Sequence, residues 1–436
     1  MSNLQLPMLQ LRDLADTNPE MLVVTTAPDF RFRYVDLSAV SAGFIHWDKV
    51  SVVSYSTAPS RARRILRVGD ILFGTVRPNL KSHGFVDSDV SGAIVGSTGF
   101  SVIRAKNGLS DPSYLFHCIM GNRIAAQANR DAVGSSYPAL NDSDVRCFEI
   151  FAPPVNEQAA IAKILDALDA TIRQAEAIIE KLKQVKQGLL HDLLTRGIAA
   201  NGELRPPQSE APDLYKNTPL GWIPGEWAIE MLGSHAQISG GVTLGRSISG
   251  LGVVELPYLR VANVQDGYLD LEEIKIVQIF KSEIARYKLE CGDVLMNEGG
   301  DFDKLGRGAI WAGQLDECLH QNHVFRVRCD TSRLEPRYLT AYSGSYFGRK
   351  FFVQASKQTT NLASINSTQL KAFPLRLPPI LEQHAINSRL AAIDAKMKTE
   401  KTLCNKLQEQ KSGLMDDLLT GRVRVPPLLD AVGASA

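Results

Sequence analysis

The sequence of 436 residues predicts an α+β protein made of two copies of one module, each a globular domain followed by a long helix. The first observation is an internal repeat, because residues 153–195 recur at 378–420 with 19 of 43 positions identical. The second is a sustained helical periodicity in both copies, and the third is a mixture of short β-rich and helical runs before them. Together they predict two globular α+β domains separated by two long antiparallel coiled-coil helices, related by a pseudo-two-fold internal repeat.

The repeated segment predicts a coiled-coil helix in each copy. Its seam residues alternate steps of four and three over more than four heptads, and a lysine takes the same seam position in both copies. The proline pair that opens each copy and the glycine that follows it suit helix ends. Matching seams favour pairing of the helices with each other; the alternative is that each helix packs on its own domain. The seam positions are Ile161, Leu165, Leu168, Ile172, Ala175, Ile179, Leu182, Lys186, Leu189 and Leu193, then Ile386, Leu390, Ile393, Met397, Glu400, Cys404, Leu407, Lys411, Leu414 and Leu418.

The regions before the helices correspond more loosely, which extends the repeat to the domains. YVDLSAV (34–40) pairs with YLRVANV (258–264), GDIL (69–72) with GDVL (292–295), DPSYL (111–115) with EPRYL (335–339), and GSSYPALN (134–141) with TTNLASIN (359–366).

The repeat also predicts the domain boundaries. A proline-rich segment follows the first helix and leads into LGWIPGEW, the predicted start of the second domain. The predicted parts are a first domain at 1–152, a repeat helix at 153–197, a linker at 198–216, a second domain at 217–377, a second repeat helix at 378–422 and a tail at 423–436.

Composition describes an ordinary globular chain, with 44% hydrophobic and 22% charged residues. A net charge of +1 argues against a general nucleic-acid coat, although it leaves local basic patches open. The beginning of the sequence predicts no signal peptide, and no window predicts a membrane-spanning helix. Six scattered cysteines without CxxC pairs predict buried thiols in a reducing cytoplasm.

Each domain carries one basic segment, at residues 60–81 and 346–376, with only Asp70 as an acidic residue in the two together. Arginine can bind guanine bidentately, asparagine and glutamine can bind adenine, and lysine and arginine neutralise phosphates. These segments predict one DNA-binding face per domain; for any single residue the alternative is a solvated basic surface. The candidates in the first segment are Arg61, Arg63, Arg64, Arg77, Asn79 and Lys81. Those in the second are Arg349, Lys350, Lys357, Gln358 and Asn361, with Lys371 and Arg376 counted in the same face, and Lys304 and Arg307 of NEGGDFDKLGRG (297–308) are added as second-domain candidates outside the segment.

Motifs for catalysis are missing from the sequence. We find no N-P-P-Y or P-C loop of a base methyltransferase and no G-x-x-x-x-G-K-[ST] phosphate loop. E-I-K at 273–275 and D-A-K at 394–396 resemble fragments of nuclease metal sites, but such triplets are common by chance. Cys318, His320 and His323 cluster in CLHQNH without a second ligand pair at zinc spacing, so a structural role is predicted. The sequence predicts no catalytic residue and no metal site.

These parts together resemble the specificity (S) subunit of type I restriction–modification enzymes. The resemblance rests on two α+β domains, each followed by a near-identical helix that opens with PP-x-x-EQ and closes with DLLT, and on LGWIPGEW, YLRVANV, GDVLMNEGG and QNHVFRVR. It covers the chain up to about Arg422. The first domain departs from the family because it has no IPGEW-like opening, which leaves its start undefined.

The resemblance implies that each domain is a target recognition domain for one half of a split, asymmetric DNA sequence, with the helices setting the gap. It implies two modification (M) subunits, which carry S-adenosylmethionine and methylate adenine, and two restriction (R) subunits, which use ATP and Mg. This chain would be a non-catalytic cytoplasmic subunit without a cofactor of its own. Two alternatives stay open: an unrecognised DNA methyltransferase or nuclease, and a coiled-coil scaffold that binds only protein.

Overall fold

The computed structural model describes residues 8–87, 90–245, 250–300, 305–306, 308–358 and 363–425. Contacts divide the chain into two compact units. Unit 1 comprises residues 1–177 and 401–436, and unit 2 comprises residues 178–400. Both units contain helices and strands, as the α+β prediction requires. Among the described residues, no helix has the length and apolar character that a membrane crossing needs.

Two of the helices are much longer than the others, with 41 and 39 residues. They begin after the proline pairs of the two repeats, because proline lacks the N–H that a helix interior requires but is tolerated at its entry. The helices in the described residues are α1 Leu11–Leu14, α2 Pro112–Met120, α3 Asn122–Asp131, α4 Asp142–Arg146, α5 Val155–Thr195, α6 Ile284–Tyr287, α7 Pro336–Gly344, α8 Tyr346–Ala355, α9 Ser367–Lys371 and α10 Ile380–Leu418.

The strands are short in both units. Those of unit 1 are β1 Met8–Gln10, β2 Ala15–Thr17, β3 Arg31–Val35, β4 Val40–Ser41, β5 Phe44–Ile45, β6 Ser51–Ser54, β7 Ala62–Leu66, β8 Ile71–Gly74, β9 Gly84–Phe85, β10 Ala93–Ser97, β11 Phe100–Ala105 and β12 Glu149–Phe151. Those of unit 2 are β13 Tyr215–Thr218, β14 Gly221–Pro224, β15 Ala228–Met231, β16 Ala236–Ser239, β17 Val253–Leu259, β18 Lys275–Phe280, β19 Val294–Asn297, β20 Gly299–Gly300, β21 Gly308–Ile310, β22 Leu319–His320, β23 Val324–Cys329, β24 Lys357–Gln358, β25 Ala363–Ser364 and β26 Pro374–Leu377.

The two units share most of their sheet topology, although the second sheet has four strands in unit 1 and three in unit 2. An antiparallel sheet has the order β2-β11-β8-β9 in unit 1 and β16-β23-β19-β21 in unit 2. A second sheet contains a parallel pair in each unit, β3 with β10 and β17 with β22. A further antiparallel pair precedes each long helix, β1 with β12 and β15 with β26. These correspondences confirm the predicted duplication of one α+β module.

Unit 2 contains a hairpin that the described part of unit 1, from residue 8 onwards, does not contain. Strands β13 and β14 pair from Tyr215↔Pro224 to Thr218↔Gly221, and they hold the beginning of the LGWIPGEW motif. Trp227 at the end of that motif is fully buried. The sequence difference at the opening of the two domains therefore corresponds to one extra hairpin.

Each long helix contributes one end to each core. In unit 1, Ile161 and Leu165 of α5 pack in the same cluster as Leu418 of α10. In unit 2, Leu193 of α5 packs in the same cluster as Ile386 of α10. The beginning of one helix thus shares a core with the end of the other, which is the antiparallel arrangement predicted from the repeat.

Candidate nucleic-acid interface and helix seam

The predicted arginines near the start of β7 lie in different surroundings. Arg61 is exposed before the strand, and the Arg63 guanidinium lies 5.2 Å from the ring centroid of Tyr55. Arg64 projects to the opposite side of the strand, since successive side chains alternate. Its side chain is 12% exposed, and its Nη2 donates to Asp142 Oδ2 at 3.2 Å. Arg64 therefore has a role within the domain, and Arg61 and Arg63 remain as candidates for DNA contact.

Arg77, Asn79 and Lys81 lie on one short 3₁₀ turn that follows β8. Asn79 is exposed, while Arg77 and Lys81 flank the turn with φ of +49° each. A left-handed backbone at a residue other than glycine costs about 1–2 kcal/mol and persists where the surroundings enforce it. Here the Arg77 N–H donates to Pro138 O at 2.7 Å and Lys81 Nζ donates to Met120 O at 3.5 Å. Neighbouring segments of unit 1 therefore hold this turn in one conformation.

Backbone hydrogen bonds connect this turn with the beginning of β7. Thr75, just before the turn, donates to Gly99 O at 3.0 Å, and the adjacent Thr98 donates to Arg61 O at 2.8 Å. The structure therefore brings the two groups of first-domain candidates onto neighbouring segments of unit 1, although they are separated by a strand in the sequence.

Only some of the second-domain candidates lie within the residues that the structure describes. Arg349 and Lys350 are exposed on α8, and Arg349 Nη2 lies 2.7 Å from Asp266 Oδ2. An exposed ion pair of this kind contributes little to stability because water screens it. Lys357 and Gln358 form β24, which pairs with β25. Lys304, Arg307 and Asn361 lie outside the described residues.

Arg376 was predicted to belong to the exposed basic face of the second domain, and this prediction is wrong. Arg376 is 4% exposed, its guanidinium lies 3.9 Å from the ring centroid of Phe347, and its Nη1 donates to Leu194 O at 3.3 Å. Burial lowers the pKa of this guanidinium. Arg376 is a core residue that ties β26 to the end of α5.

The predicted seam is the packed side of both long helices. All ten seam positions on α5 and all ten on α10 are buried or half-buried. Positions between them, such as Lys163, Arg173 and Lys181, are exposed. The heptad spacing therefore locates the apolar face of each helix along its whole length.

The seam lysines each form an ion pair with the other helix. Lys186 Nζ lies 2.6 Å from Asp394 Oδ1 in unit 2, and Lys411 Nζ lies 2.5 Å from Asp169 Oδ1 in unit 1. These contacts place α5 and α10 side by side within each unit. They favour pairing of the helices over the alternative in which each helix packs only on its own domain.

Glu382 of the second PP-x-x-EQ motif is a buried acceptor for groups that follow the first helix. Arg205 donates to it through Nη1 at 2.5 Å and Nη2 at 3.1 Å, Ile198 through its backbone N–H at 2.7 Å, and Trp227 through Nε1 at 3.1 Å. Gly197 has a φ of +65°, and a Cβ there would lie 2.2 Å from Glu382 Oε1. The carboxylate therefore holds the segment after α5 against the start of α10, and glycine is required beside it.

Glu157 occupies the equivalent position of the first motif and binds the segment after α10. Arg424 donates through Nε at 2.8 Å and Nη2 at 2.6 Å, and the Val425 N–H donates at 3.2 Å. The hydrogen bonds from Arg424 are the main cause of a lowered pKa of the Glu157 carboxyl. In both units, the same motif position fixes the segment that leaves the other helix.

The glutamine of each motif positions the helix that follows the sheet. Gln158 accepts from the Asp111 N–H at 3.0 Å, and Gln383 accepts from the Glu335 N–H at 2.9 Å. Asp111 and Glu335 are themselves the N-cap residues of α2 and α7. The glutamine therefore links each long helix to its own domain, whereas the glutamate holds the segment that leaves the other helix.

The CLHQNH cluster packs into unit 2 as a structural element. His320 is fully buried, its Nδ1 donates to Val324 O at 2.7 Å, and burial lowers its pKa to about 4. Cys318 is also buried, whereas His323 Nδ1 lies 2.6 Å from Glu298 Oε2. In the part of the chain that the structure describes, no group of three His, Cys, Asp or Glu side chains could hold a metal ion.

Sequence reasoning missed several residues with a clear structural role. Asp169 and Asp394 are identical in the repeat, which was a signal that could have identified them as partners of the seam lysines. Arg205 and Arg424 gave no such signal, because they follow their helices at different distances. Tyr137, beside Arg77, lies in a turn-rich segment that was noted only as part of the repeat.

The chain is a duplicated protein of two equivalent α+β domains, each followed by a long helix with the same seam. The family described as type I restriction modification DNA specificity domain matches residues 66–184 and 224–409. This match covers more than half of the chain, and the chain belongs to that family.

Individual relatives agree with this assignment. The putative type I restriction enzyme MjaX specificity subunit of Methanocaldococcus jannaschii is 29% identical over 208 residues, which are 47% of this chain and 48% of that protein. The type I restriction enzyme EcoKI specificity subunit of Escherichia coli K12 is 25% identical over 311 residues, 70% of this chain and 62% of that protein. The chain thus spans about half of the first relative and under two thirds of the second.

The fold has a solved counterpart. A chain in a structure concerned with complex assembly and conformational transition of the type I R-M system has a TM-score of 0.59 and 24% identity, covering 95% of this chain and 97% of that chain. Both relatives named above are described as specificity subunits of type I restriction enzymes.

Proposed function

We propose that this chain is the DNA sequence-recognition subunit of a type I restriction–modification complex. Each target recognition domain, at 1–152 and 217–377, reads one half of a bipartite, asymmetric site in double-stranded DNA. The observation that carries the proposal is that the two units repeat the same four-stranded antiparallel sheet, while the sequences that align in the repeat differ, RPNLKSHG (77–84) in the first copy and NEGGDFDKLGRG (297–308) in the second. A common scaffold with different contact residues suits two different half-sites.

The long helices set the gap between the half-sites and dock two methyltransferase (M) subunits. The repeat supports this role, because one polypeptide with two equivalent helices and domains can present the same surface to two identical partners. Two restriction (R) subunits join the complex. S-adenosylmethionine belongs to the M subunits, and ATP and Mg belong to the R subunits. With chromosomal DNA as its ligand, the chain acts in the cytoplasm.

Fewer residues are proposed as DNA contacts than the sequence alone suggested. Lysine and arginine side chains that are exposed or half-exposed can neutralise phosphates, and the amide of Asn79 can bind an adenine edge. Within the residues whose side chains are described, the proposed contacts are Arg61, Arg63, Arg77, Asn79, Lys81, Arg349 and Lys350.

Methylome sequencing of a strain that expresses this chain together with its M subunit tests the proposal. We expect one methylated motif with two specified halves of different sequence, separated by a fixed unspecified gap. A strain with the M subunit alone is the matched control. A continuous motif, or methylation that persists without this chain, would contradict the proposal.

A methylation assay with purified protein also tests the proposal. The purified chain with S-adenosylmethionine should methylate no DNA, whereas the complex with M subunits should methylate its site. Activity of the chain alone would favour the alternative that it is itself a methyltransferase.

A further inference from the structure

We infer that Tyr137, Leu80 and Arg77 form a base-contacting element of the first domain, which would bind the grooves of double-stranded DNA. This inference rests on the proposed function, because it assumes that the first domain reads a DNA half-site. The element consists of residues 76–81 and 133–139, here called the 76/133 element.

The two segments of the 76/133 element are joined into one rigid body. Val76 forms an isolated antiparallel bridge with Ala139, and Val133 forms another with the same residue. The Arg77 N–H donates to Pro138 O at 2.7 Å. A Cβ at Gly134, whose φ is +116°, would lie 2.9 Å from the backbone oxygen of Tyr137, so the tight turn requires glycine. The exposed side chains of the element therefore have a fixed frame.

Large apolar side chains project from this frame into solvent. Leu80 is 61% exposed, Tyr137 is 68% exposed and Val133 is 77% exposed. Several exposed apolar side chains on one well-anchored element indicate a binding surface, because nothing in the folding of the domain rewards their exposure. Apolar side chains of this kind can contact a thymine methyl group or enter between base steps, and a tyrosine ring can stack on a base.

Charge indicates which partner fits the surface. Residues 75–84 and 132–141 contain Arg77 and Lys81 and no acidic residue. The Arg77 guanidinium lies 4.1 Å from the ring centroid of Tyr137, and its Nη2 donates to Ser136 O at 3.4 Å. The guanidinium lies beside the exposed ring, and among the residues that the structure describes no carboxylate forms an ion pair with it. A cation next to an exposed aromatic ring favours a polyanion with exposed bases over an ordinary protein surface.

Backbone strain supports the same interpretation. Arg77 and Lys81 are two of the four non-glycine residues with positive φ in the described chain, and they flank a single turn. Such conformations cluster at binding sites, where the fold holds a side chain in a direction that an unstrained turn would not give. Asn79 and Leu80 on the strained turn are both exposed, and Arg77 at its start lies against the Tyr137 ring.

The test uses the full-length chain assembled with its M subunits and a fluorescent DNA duplex that carries the site found by methylome sequencing. Binding is measured by anisotropy on this duplex and on duplexes with single base-pair changes in either half. For Tyr137→Ala we expect affinity for the intact site to fall by roughly ten- to hundredfold. We also expect discrimination at one or two base pairs of the first half-site to be lost, while discrimination in the second half-site is unchanged.

Two further variants provide a second test of the element and a control outside it. Arg77→Gly removes the guanidinium but suits the left-handed backbone, so it should weaken binding without unfolding the domain. Leu109→Ala removes another exposed apolar side chain of unit 1, 54% exposed and outside the element, and should leave binding unchanged. Thermal unfolding of each variant confirms that it is folded.

The outcomes are distinguishable. Wild-type discrimination at every base pair of the first half-site in a folded Tyr137→Ala complex would overturn the inference while leaving the proposed function intact. Loss of M-subunit assembly in place of DNA affinity would show that the surface binds protein and would also overturn it. Absence of sequence-specific binding by the wild-type complex would refute the proposed function and the inference together.

Discussion

Lys186 and Asp394 form an ion pair of 2.6 Å between α5 and α10, and the repeat reproduces this pair in reverse as Lys411 with Asp169 at 2.5 Å. In each pair, the lysine comes from the later part of one helix and the aspartate from the earlier part of the other. Antiparallel packing of the two helices within each unit produces this exchange of roles. Because sliding one helix along the other would separate both pairs, the lysines fix the register of the seam.

Charge reversal at Lys186 should therefore destabilise unit 2. Lys186→Glu places like charges together, and because the side chains of Lys186 and Asp394 are 36% and 50% exposed we expect a loss of about 1 kcal/mol or less. Adding Asp394→Lys should restore most of the lost free energy of unfolding. A double-mutant cycle by urea unfolding measures the coupling energy. The more buried pair, Lys411 with Asp169, should show a larger coupling, and a zero coupling at both sites would refute the role in register.

Replacement of Glu382 by alanine should have a large effect. It leaves the guanidinium of Arg205 and the indole N–H of Trp227 without their buried acceptor, and we expect a loss of about 3–5 kcal/mol of unfolding free energy. Urea unfolding followed by tryptophan fluorescence measures it. Glu226→Ala is the matched control, because Glu226 also binds Arg205 but is 71% exposed, and should cost under about 1 kcal/mol. Equal losses would contradict this assignment.

Arg61 and Arg63 should behave differently from Arg64. Each phosphate contact that is removed should reduce the slope of log affinity against log salt by about 0.9. We expect this reduction for Arg61→Ala and Arg63→Ala, with M-subunit assembly intact. Arg64→Ala should instead lower the thermal stability of the first domain, since it breaks the contact with Asp142. Disrupted assembly in the first two variants would refute their assignment to DNA.

Insertion of one or two turns into the helix that contains Glu157 should change the gap of the DNA site. A seven-residue insertion in both α5 and α10 retains the heptad seam, whereas an insertion in α5 alone shifts the partners of Lys186. Methylome sequencing of strains with these variants measures the gap and both halves. We expect a longer gap with unchanged half-sites, and an altered half-site would contradict the spacer role.

Mild acid should destabilise both units through buried histidines. Burial lowers the pKa of His83 in unit 1 and of His320 in unit 2 from 6.5 to about 4. Both rings stay neutral in the folded chain down to about pH 4, but they take up protons on unfolding once the pH is below about 6.5. The free energy of unfolding is therefore unaffected by these rings above about pH 6.5 and decreases as the pH falls towards 4. Thermal unfolding across this range measures the loss.

His83→Asn provides the control for this pH dependence. The asparagine Oδ1 can still accept the hydrogen bond that His83 Nδ1 receives from the Gly74 N–H, but the side chain takes up no proton. Its stability should therefore fall less steeply with decreasing pH than that of the wild type. Identical slopes would show that His83 does not contribute.

The seam and the module could be predicted from the sequence because heptad spacing and repeats are strong local signals. The surroundings of single arginines could not. Arg64 and Arg376 both lie on strands, where the face that a side chain occupies depends on partners distant in the chain. The repeat did not indicate the arginine partners of Glu157 and Glu382, because the two arginines are not aligned in it. Arg424 lies four residues after Thr420, whereas Arg205 lies ten residues after Thr195. The candidate site was thus predicted as a region, and its geometry required long-range contacts.

Unit 1 takes its core from both parts of the chain, and this has a consequence for synthesis on the ribosome. Leu418, Leu419 and Val425, which pack in the same cluster as Leu11 and Leu14, are translated after the whole of unit 2. Unit 2 is one continuous segment and can complete its core while the nascent chain is still growing, whereas unit 1 must wait for the end of α10. A ribosome that stops early would release a first domain with an open apolar core, a natural target for chaperones and proteases.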